Sequence, residues 1–201
     1  MNLKTDITHF AKDLVARKMG EFFIYPMHDQ TIEKIWQNSH YHSLLDGVLN
    51  DNAIPVEAKF LVCEIFFIKD ILFMQRHPPE KIAKIYAHAL LHNYTGMANS
   101  WGLLYDHQDD GTVGIAFLVI GKYSVPVLAK LLDNNDVNLK YLGSKEAKVG
   151  NKYNYRIKDF AAYYIGRIMG KSLKYFHEFS ERDKQINDLK NDIKFLFTNK
   201  D

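Results

Sequence analysis

The chain has 201 residues, 47% of them hydrophobic and 25% charged, ordinary proportions for a globular protein with enough chain to bury a real core. That excludes an intrinsically disordered protein. Lys and Arg number 26 against 24 Asp and Glu, a net charge of +2, which gives no electrostatic drive toward nucleic acid or an anionic membrane. The single cysteine, Cys63, cannot close an internal disulfide, and the first twenty residues lack the uninterrupted apolar stretch of a secretory leader, so a cytoplasmic protein is expected.

Apolar residues recur at helical spacing nearly throughout. Ile7, Phe10, Leu14 and Val15 mark an amphipathic first helix from about Thr5 to Met19, capped by Thr5 or Asp6. A second helical region begins near Asp29, carries Ile32, Ile35 and Trp36, and continues with a break at Asn38–Ser39 through Leu44, Leu45 and Val48. Pro55 suits the first turn of the next helix, where its missing N–H costs nothing; that helix is expected to reach about Arg76. Its run from Phe60 to Met74 is the most apolar in the chain. Glu64, Lys69 and Asp70 interrupt it, and it is shorter than the ~20 residues of a membrane span, so it reads as a buried core helix.

Pro79 opens a helix with Ile82, Ile85, Tyr86, Ala89 and Leu90 as its buried stripe. Asn93 to Asp110 is the least regular part. A short helix from Thr112 to Ile120 should stop at Gly121, and Ser124 is a candidate N-cap for a helix ending at Leu132. Tyr155 to Met169 reads as a further helix, stopped by Gly170. Ser180 and Asp183 resemble a capping box ahead of Ile186, Leu189, Ile193 and Leu196, and this last amphipathic helix should pack on the body. Between these helices, Asp136 to Asn154 breaks the period and holds Val137, Leu139, Tyr141, Val149 and Tyr153 with Gly143 and Gly150, the pattern of a β-hairpin or an ordered loop.

Two stretches carry a family likeness. Val125-Pro126-Val127-Leu128-Ala129-Lys130-Leu131-Leu132-Asp133 resembles the first helix of a HEAT-type repeat, and Tyr155-Arg156-Ile157-Lys158-Asp159-Phe160-Ala161-Ala162-Tyr163-Tyr164-Ile165-Gly166 resembles the second. Leu44-Leu45-Asp46 followed by Pro55 to Leu61 is similar more faintly. The resemblance covers about half the chain and implies an all-α fold: a short HEAT-like α-solenoid of stacked antiparallel helix pairs, with a small inserted β-hairpin or loop over 136–154. On this reading 1–201 is a single domain, with N-terminal helices over 1–95, the clearest repeat over 111–170 and a C-terminal helix over 180–197. The family pattern further implies that Asp133 and Arg156 pair between helices.

Several residues could carry chemistry. His40 and His42 flank Tyr41, a poor spacing for a shared metal on a helix, whereas His88 and His92 stand at i and i+4; solvated surface histidines explain both pairs more simply. Glu64 lies inside the apolar run, where it either has a raised pKa or bonds to a Lys or Tyr at a helix contact. Cys63 reads as a small core residue. No metal or cofactor is expected. Trp101, Tyr105, Asp106, His107, Gln108, Asp109 and Asp110 place aromatic rings beside three carboxylates on a loop.

Stacked helix pairs with near-zero net charge suggest a non-catalytic protein-binding module, in its sharpest form a bacterial immunity protein that neutralises a cognate toxin. A protein partner, rather than nucleic acid or a membrane, is then expected to engage Tyr141, Tyr153, Tyr155 and Arg156, with Trp101, Asp106 and Asp109 as further contacts. The alternative is an enzyme that resembles the HEAT-like DNA-repair glycosylases, with a concave groove around Trp101 and Asp106. Some short HEAT-like proteins are bilin lyases, a third possibility that the lone Cys63 does little to support.

Overall fold

In a computed structural model that describes residues 3–18, 21–23, 27–106 and 109–198, every regular element is helical, and no strand occurs among the described residues. The helices gather into two compact units, Met1–Thr95 and Gly96–Asp201. No described helix is long and apolar enough to cross a membrane.

In the first unit, α1 (Leu3–Asp13) runs into a π-helical turn at Leu14–Lys18 and is followed by α2 (Met27–Gln37), α3 (Ser39–Asn50), α4 (Val56–Lys69) and α5 (Pro79–Leu91). Helix α3 packs against α1, α2 and α4, and α4 packs against α5. The break at Asn38 is a side-chain cap: its backbone is extended and its Oδ1 accepts the Tyr41 N–H at 3.1 Å, satisfying a donor that the first helical turn leaves open. Helix α4 is the centre of this unit, with every residue from Ala58 to Phe66 buried, Cys63 among them. A helix apolar on all sides is one surrounded by other elements.

The expected helix to Arg76 ends instead at Lys69. Asp70 is extended (φ −150°, ψ 77°), and a 3₁₀ turn follows over Ile71–Gln75. The break turns Phe73 inward, where its ring stacks on Phe66 at 5.1 Å and meets Phe67 edge-on at 5.0 Å. In an unbroken helix seven residues rise about 10 Å, too far for the first of these contacts. Burying a phenylalanine is worth ~2–3 kcal/mol, more than the ~1 kcal/mol net of a backbone hydrogen bond given up at the kink. The Arg76 guanidinium spans the break to Asp70 at 2.8 Å.

The second unit contains α6 (Ile115–Ile120), α7 (Val125–Ala129), α8 (Ser144–Gly150), α9 (Ile157–Ile168) and α10 (Phe179–Thr198). Helix α9 is its axis: residues 157–166 are buried without exception, and α6, α7 and α10 all pack on it. Ile186, Leu189 and Ile193 form the buried stripe of α10; the Leu196 side chain lies outside those described. Ser124 is not the expected N-cap. Its backbone is already helical, and its Oγ donates to Phe117 O at 3.0 Å, tying the 3₁₀ turn at Gly121–Ser124 back to α6.

Segment 136–154 holds no hairpin. It runs without regular structure to Gly143, forms α8, and closes in a 3₁₀ turn at Asn151–Tyr153. The backbone groups a hairpin would pair are already occupied. Lys140 O accepts the Ala98 N–H at 2.8 Å. The Asn99 amide bridges both backbone groups of Leu142 at 3.0 and 2.8 Å, and the Asn151 amide does the same for Tyr141 at 2.9 and 3.0 Å.

One buried acid makes the first unit sensitive to pH. Glu64 on α4 is 6% exposed, and the Tyr86 hydroxyl of α5 donates to its Oε1. Burial pushes its carboxyl from 4.5 up to about 7, against the opposing pull of the Tyr86 bond. The folded unit therefore holds this proton more tightly than the unfolded chain. Its stability is greatest while Glu64 is protonated and falls as pH rises from the unfolded value through about 7, by up to about 3 kcal/mol. Pulse labelling of Cys63 with dithiodipyridine across a urea series reads the opening of this unit. The urea midpoint should fall between about pH 5 and pH 8 in the native protein, and Glu64→Gln should flatten that dependence.

Candidate functional site

In the second unit, the chain leaves at Gly102 and returns at Gly111 through a closely tied neck. A 3₁₀ turn at Asn99–Trp101 delivers the chain to it, and Ser100 O accepts both the Val113 and Gly114 N–H groups, at 2.9 and 3.1 Å, where it returns. The two sides of this neck nearly touch: a Cβ on Gly111 would lie 2.2 Å from Gly102 N. Within the loop, Leu103 N–H donates to Asp109 O at 3.2 Å and Asp106 N–H to Leu103 O at 2.7 Å.

Three tyrosines hold the neck from beneath. The Tyr141 hydroxyl donates to Gly102 O at 3.0 Å and accepts the Leu104 N–H at 3.2 Å. The Tyr164 hydroxyl donates to Asp110 O at 2.7 Å and also touches Trp101 O. It fits only because residue 114 is glycine, whose Cβ would lie 1.6 Å from this oxygen. The Tyr163 hydroxyl donates to Asp110 Oδ1 at 2.5 Å, and Arg167 Nη1 donates to both Asp110 and Tyr163 Oη. Burial pushes the hydroxyls of all three tyrosines well above their ordinary range, so each stays a proton donor at any physiological pH.

The structure sorts the residues expected to meet a partner into two groups. Trp101 is sealed, with its ring 6.1 Å from Phe117. Tyr141 and Tyr155 are equally buried. Arg156 is buried too, and its partner is not Asp133. Asp159 Oδ2 accepts the Arg156 backbone N–H at 2.8 Å and its Nε at 3.1 Å, while Asp159 Oδ1 accepts Nη2 at 3.0 Å. Arg182 of α10 reaches the same Asp159 carboxylate at 2.6 Å, and Asp183 forms ion pairs with Arg156 and Lys158, both at 2.8 Å. Asp183 thus joins an ion network where a capping box was expected, and Asp133 pairs with Lys190 at 2.5 Å. Trp101, Tyr141, Tyr155 and Arg156 lie in the interior of the unit beside Phe117, Phe160, Tyr164 and Arg182.

Tyr153, Asp106 and Asp109 do reach the surface. Tyr153 is half-buried and stacks on Tyr155 at 5.1 Å. Asp106 is exposed, and half-buried Asp109 accepts the Gly111 N–H at 2.8 Å, stiffening the return of the loop. His107 and Gln108 lie outside the described residues.

Sequence reasoning passed over the residues beside them. Ile115 and Val119, one turn apart on α6 directly after the loop, are 49% and 47% exposed, and Tyr123 beyond them is exposed with the Lys122 ammonium 5.3 Å from its ring centre. The signal was present: the run Ile115-Ala116-Phe117-Leu118-Val119-Ile120 is apolar on every face, yet six residues at the edge of a small unit cannot bury every face. What this surface offers is the carboxylates of Asp106 and Asp109 beside an apolar helical face. The Trp101 ring, closed off from solvent, is not part of it.

The histidine pairs belong to the first unit. The His88 and His92 rings lie 4.2 Å apart, with His88 Nδ1 3.0 Å from the Tyr94 hydroxyl, and the His42 ring stacks near Trp36 at 4.1 Å. No group of three His, Cys, Asp or Glu side chains among the described residues is arranged to hold a metal ion. Comparison with protein-family models, with curated proteins and with solved structures finds no match for this chain.

If the tyrosine brace and the buried ion network support the second unit as described, two substitutions separate their roles. Tyr141→Phe strands a buried carbonyl and a buried N–H and should cost about 1–3 kcal/mol, with accelerated amide exchange at Leu104. Asp159→Asn leaves two buried guanidinium groups short of their charge partner and should cost about 3–5 kcal/mol. Urea unfolding followed by fluorescence, with hydrogen exchange read at Leu104, distinguishes a local loosening of the loop from a loss of the whole unit.

Proposed function

We propose that the chain is a non-catalytic protein-binding module, and that its partner docks on the apolar face of α6 beside the braced acidic loop. The observation that carries this reading is the exposure of Ile115 and Val119 on a helix fixed to the unit by its opposite side, where Ala116, Phe117 and Ile120 are buried. Adjacent half-exposed aliphatic side chains on a rigid support lose little entropy on being covered. Asp106 and Asp109 at the rim would select a partner with basic groups. The packed helix pairs support the HEAT-like reading of the fold, in which surfaces of this kind hold proteins. Its sharper form, an immunity protein that masks a toxin, draws on the small size and helical architecture.

The test compares the native protein with the double variant Ile115→Asp, Val119→Asp as baits in lysate of the source cells. Both changes lie on the solvent face, so helix content and melting temperature should hold. The native bait should retain one protein in stoichiometric amount, and the variant should retain it at least ~10-fold less. Equal retention by both baits, or no retained protein, would sink the proposal. For the immunity form, co-expression with the retained protein should relieve its toxicity only when the bait is native.

A further inference from the structure

In the first unit, the C-terminal end of α5 gathers three rings of a different chemistry. His88 and His92 stand one turn apart with ring centres 4.2 Å apart, and the Tyr94 ring lies beside both, at 5.6 and 6.0 Å. A Schellman motif turns the chain back here. The Tyr94 N–H donates to Ala89 O at 3.0 Å and the Asn93 N–H to Leu90 O at 3.3 Å, with Asn93 itself left-handed at φ 52°. In a continued helix, residues six apart would point about 120° away from each other. The left-handed turn is what returns the Tyr94 hydroxyl to His88 Nδ1, 3.0 Å away.

That contact decides which imidazole nitrogen is open. Burial and the Glu57 carboxylate of α4, which accepts its proton, hold the Tyr94 hydroxyl protonated. With its one proton given to Glu57, the hydroxyl oxygen can only accept from His88. Nδ1 of His88 therefore carries the ring hydrogen, and Nε2 presents a lone pair. Metal-ligating imidazoles are oriented in this way, by a hydrogen bond from the second ring nitrogen to an outer acceptor. The position is reachable, since His92 is exposed and His88 half-buried. The carbonyl end of a helix, with roughly half a negative charge, and the Glu57 carboxylate both favour a cation there.

We infer that His88 Nε2 and the His92 imidazole chelate one divalent transition-metal ion, with water in its remaining positions. Two nitrogens bound to one zinc ion at about 2.0–2.1 Å stand roughly 3–3.5 Å apart, a separation that rings centred 4.2 Å apart can provide. Imidazole suits zinc and its neighbours in the first transition row, whereas magnesium and calcium require oxygen ligands. No group of three His, Cys, Asp or Glu among the described residues closes a metal shell. The site is thus an open one, in which the ion exchanges with solvent and keeps positions free for a further ligand.

The probes are zinc and magnesium ions, titrated by calorimetry into the native protein, into His92→Gln and Tyr94→Phe, and into a double variant of the other pair, His40→Gln with His42→Gln. His92→Gln changes an exposed side chain and should leave the melting temperature of the metal-free protein unchanged. Zinc should bind saturably and magnesium not at all. His92→Gln should weaken zinc binding at least ~10-fold, and Tyr94→Phe, which releases the His88 tautomer, should weaken it by about 10-fold. The double variant should bind as the native protein does. No saturation by about 1 mM zinc, undiminished binding by His92→Gln or Tyr94→Phe, loss of binding in the double variant, or magnesium binding as tightly as zinc would each overturn the assignment.

Discussion

A single buried carboxylate, Asp159, holds the second unit together. It sits at the third position of α9, accepts the Arg156 N–H that opens the helix, and stands between the guanidinium groups of Arg156 and Arg182. Removing such ions from water costs several kcal/mol each, recovered only when every donor and acceptor is met in good geometry. Much of that satisfaction is visible: Arg182 also donates to Tyr153 O at 2.7 Å, both guanidinium groups lie over the Phe179 ring, and Asp183 brings a second carboxylate that Arg156 shares with Lys158. Burial pushes the Arg182 guanidinium down while Asp159 pulls it back up. The network fixes the start of α9 and joins it to α10, so the direction of α9 is set by charge as much as by apolar contact.

The surface beside α6 depends on that direction. Tyr163, Tyr164 and Arg167 project from the second half of α9. Through Asp110 and the backbone of the loop neck they hold the acidic loop.

Local signals in the sequence located most of the helices and the Asn38 break, because those follow from apolar period, cap residues and the positions of Gly and Pro. Glu64 was legible as a buried acid that would bond to a Tyr or Lys, and Tyr86 is that partner. What escaped was decided by tertiary contacts. The kink at Asp70 exists because Phe73 gains more by turning onto Phe66 than by continuing the helix. Segment 136–154 carries the alternation of a hairpin, but the amides of Asn99 and Asn151, one of them about forty residues away in the chain, capture the groups a second strand would need. Arg156 was expected to pair with Asp133 by family pattern; the nearer acid at i+3 and the returning α10 claimed it.

Four of the seven residues expected to meet a partner, Trp101, Tyr141, Tyr155 and Arg156, are interior for one physical reason. Aromatic residues and arginine are enriched both at interfaces and in the interiors of small units, because each brings large area and a polar tip. Composition alone does not separate the two uses. What separates them is whether the fold closes over the side chain, as it does over Trp101, Tyr141, Tyr155 and Arg156. Ile115 and Val119 stand apart: half-exposed on a helix whose other side is packed, they can bury further apolar surface only against another molecule.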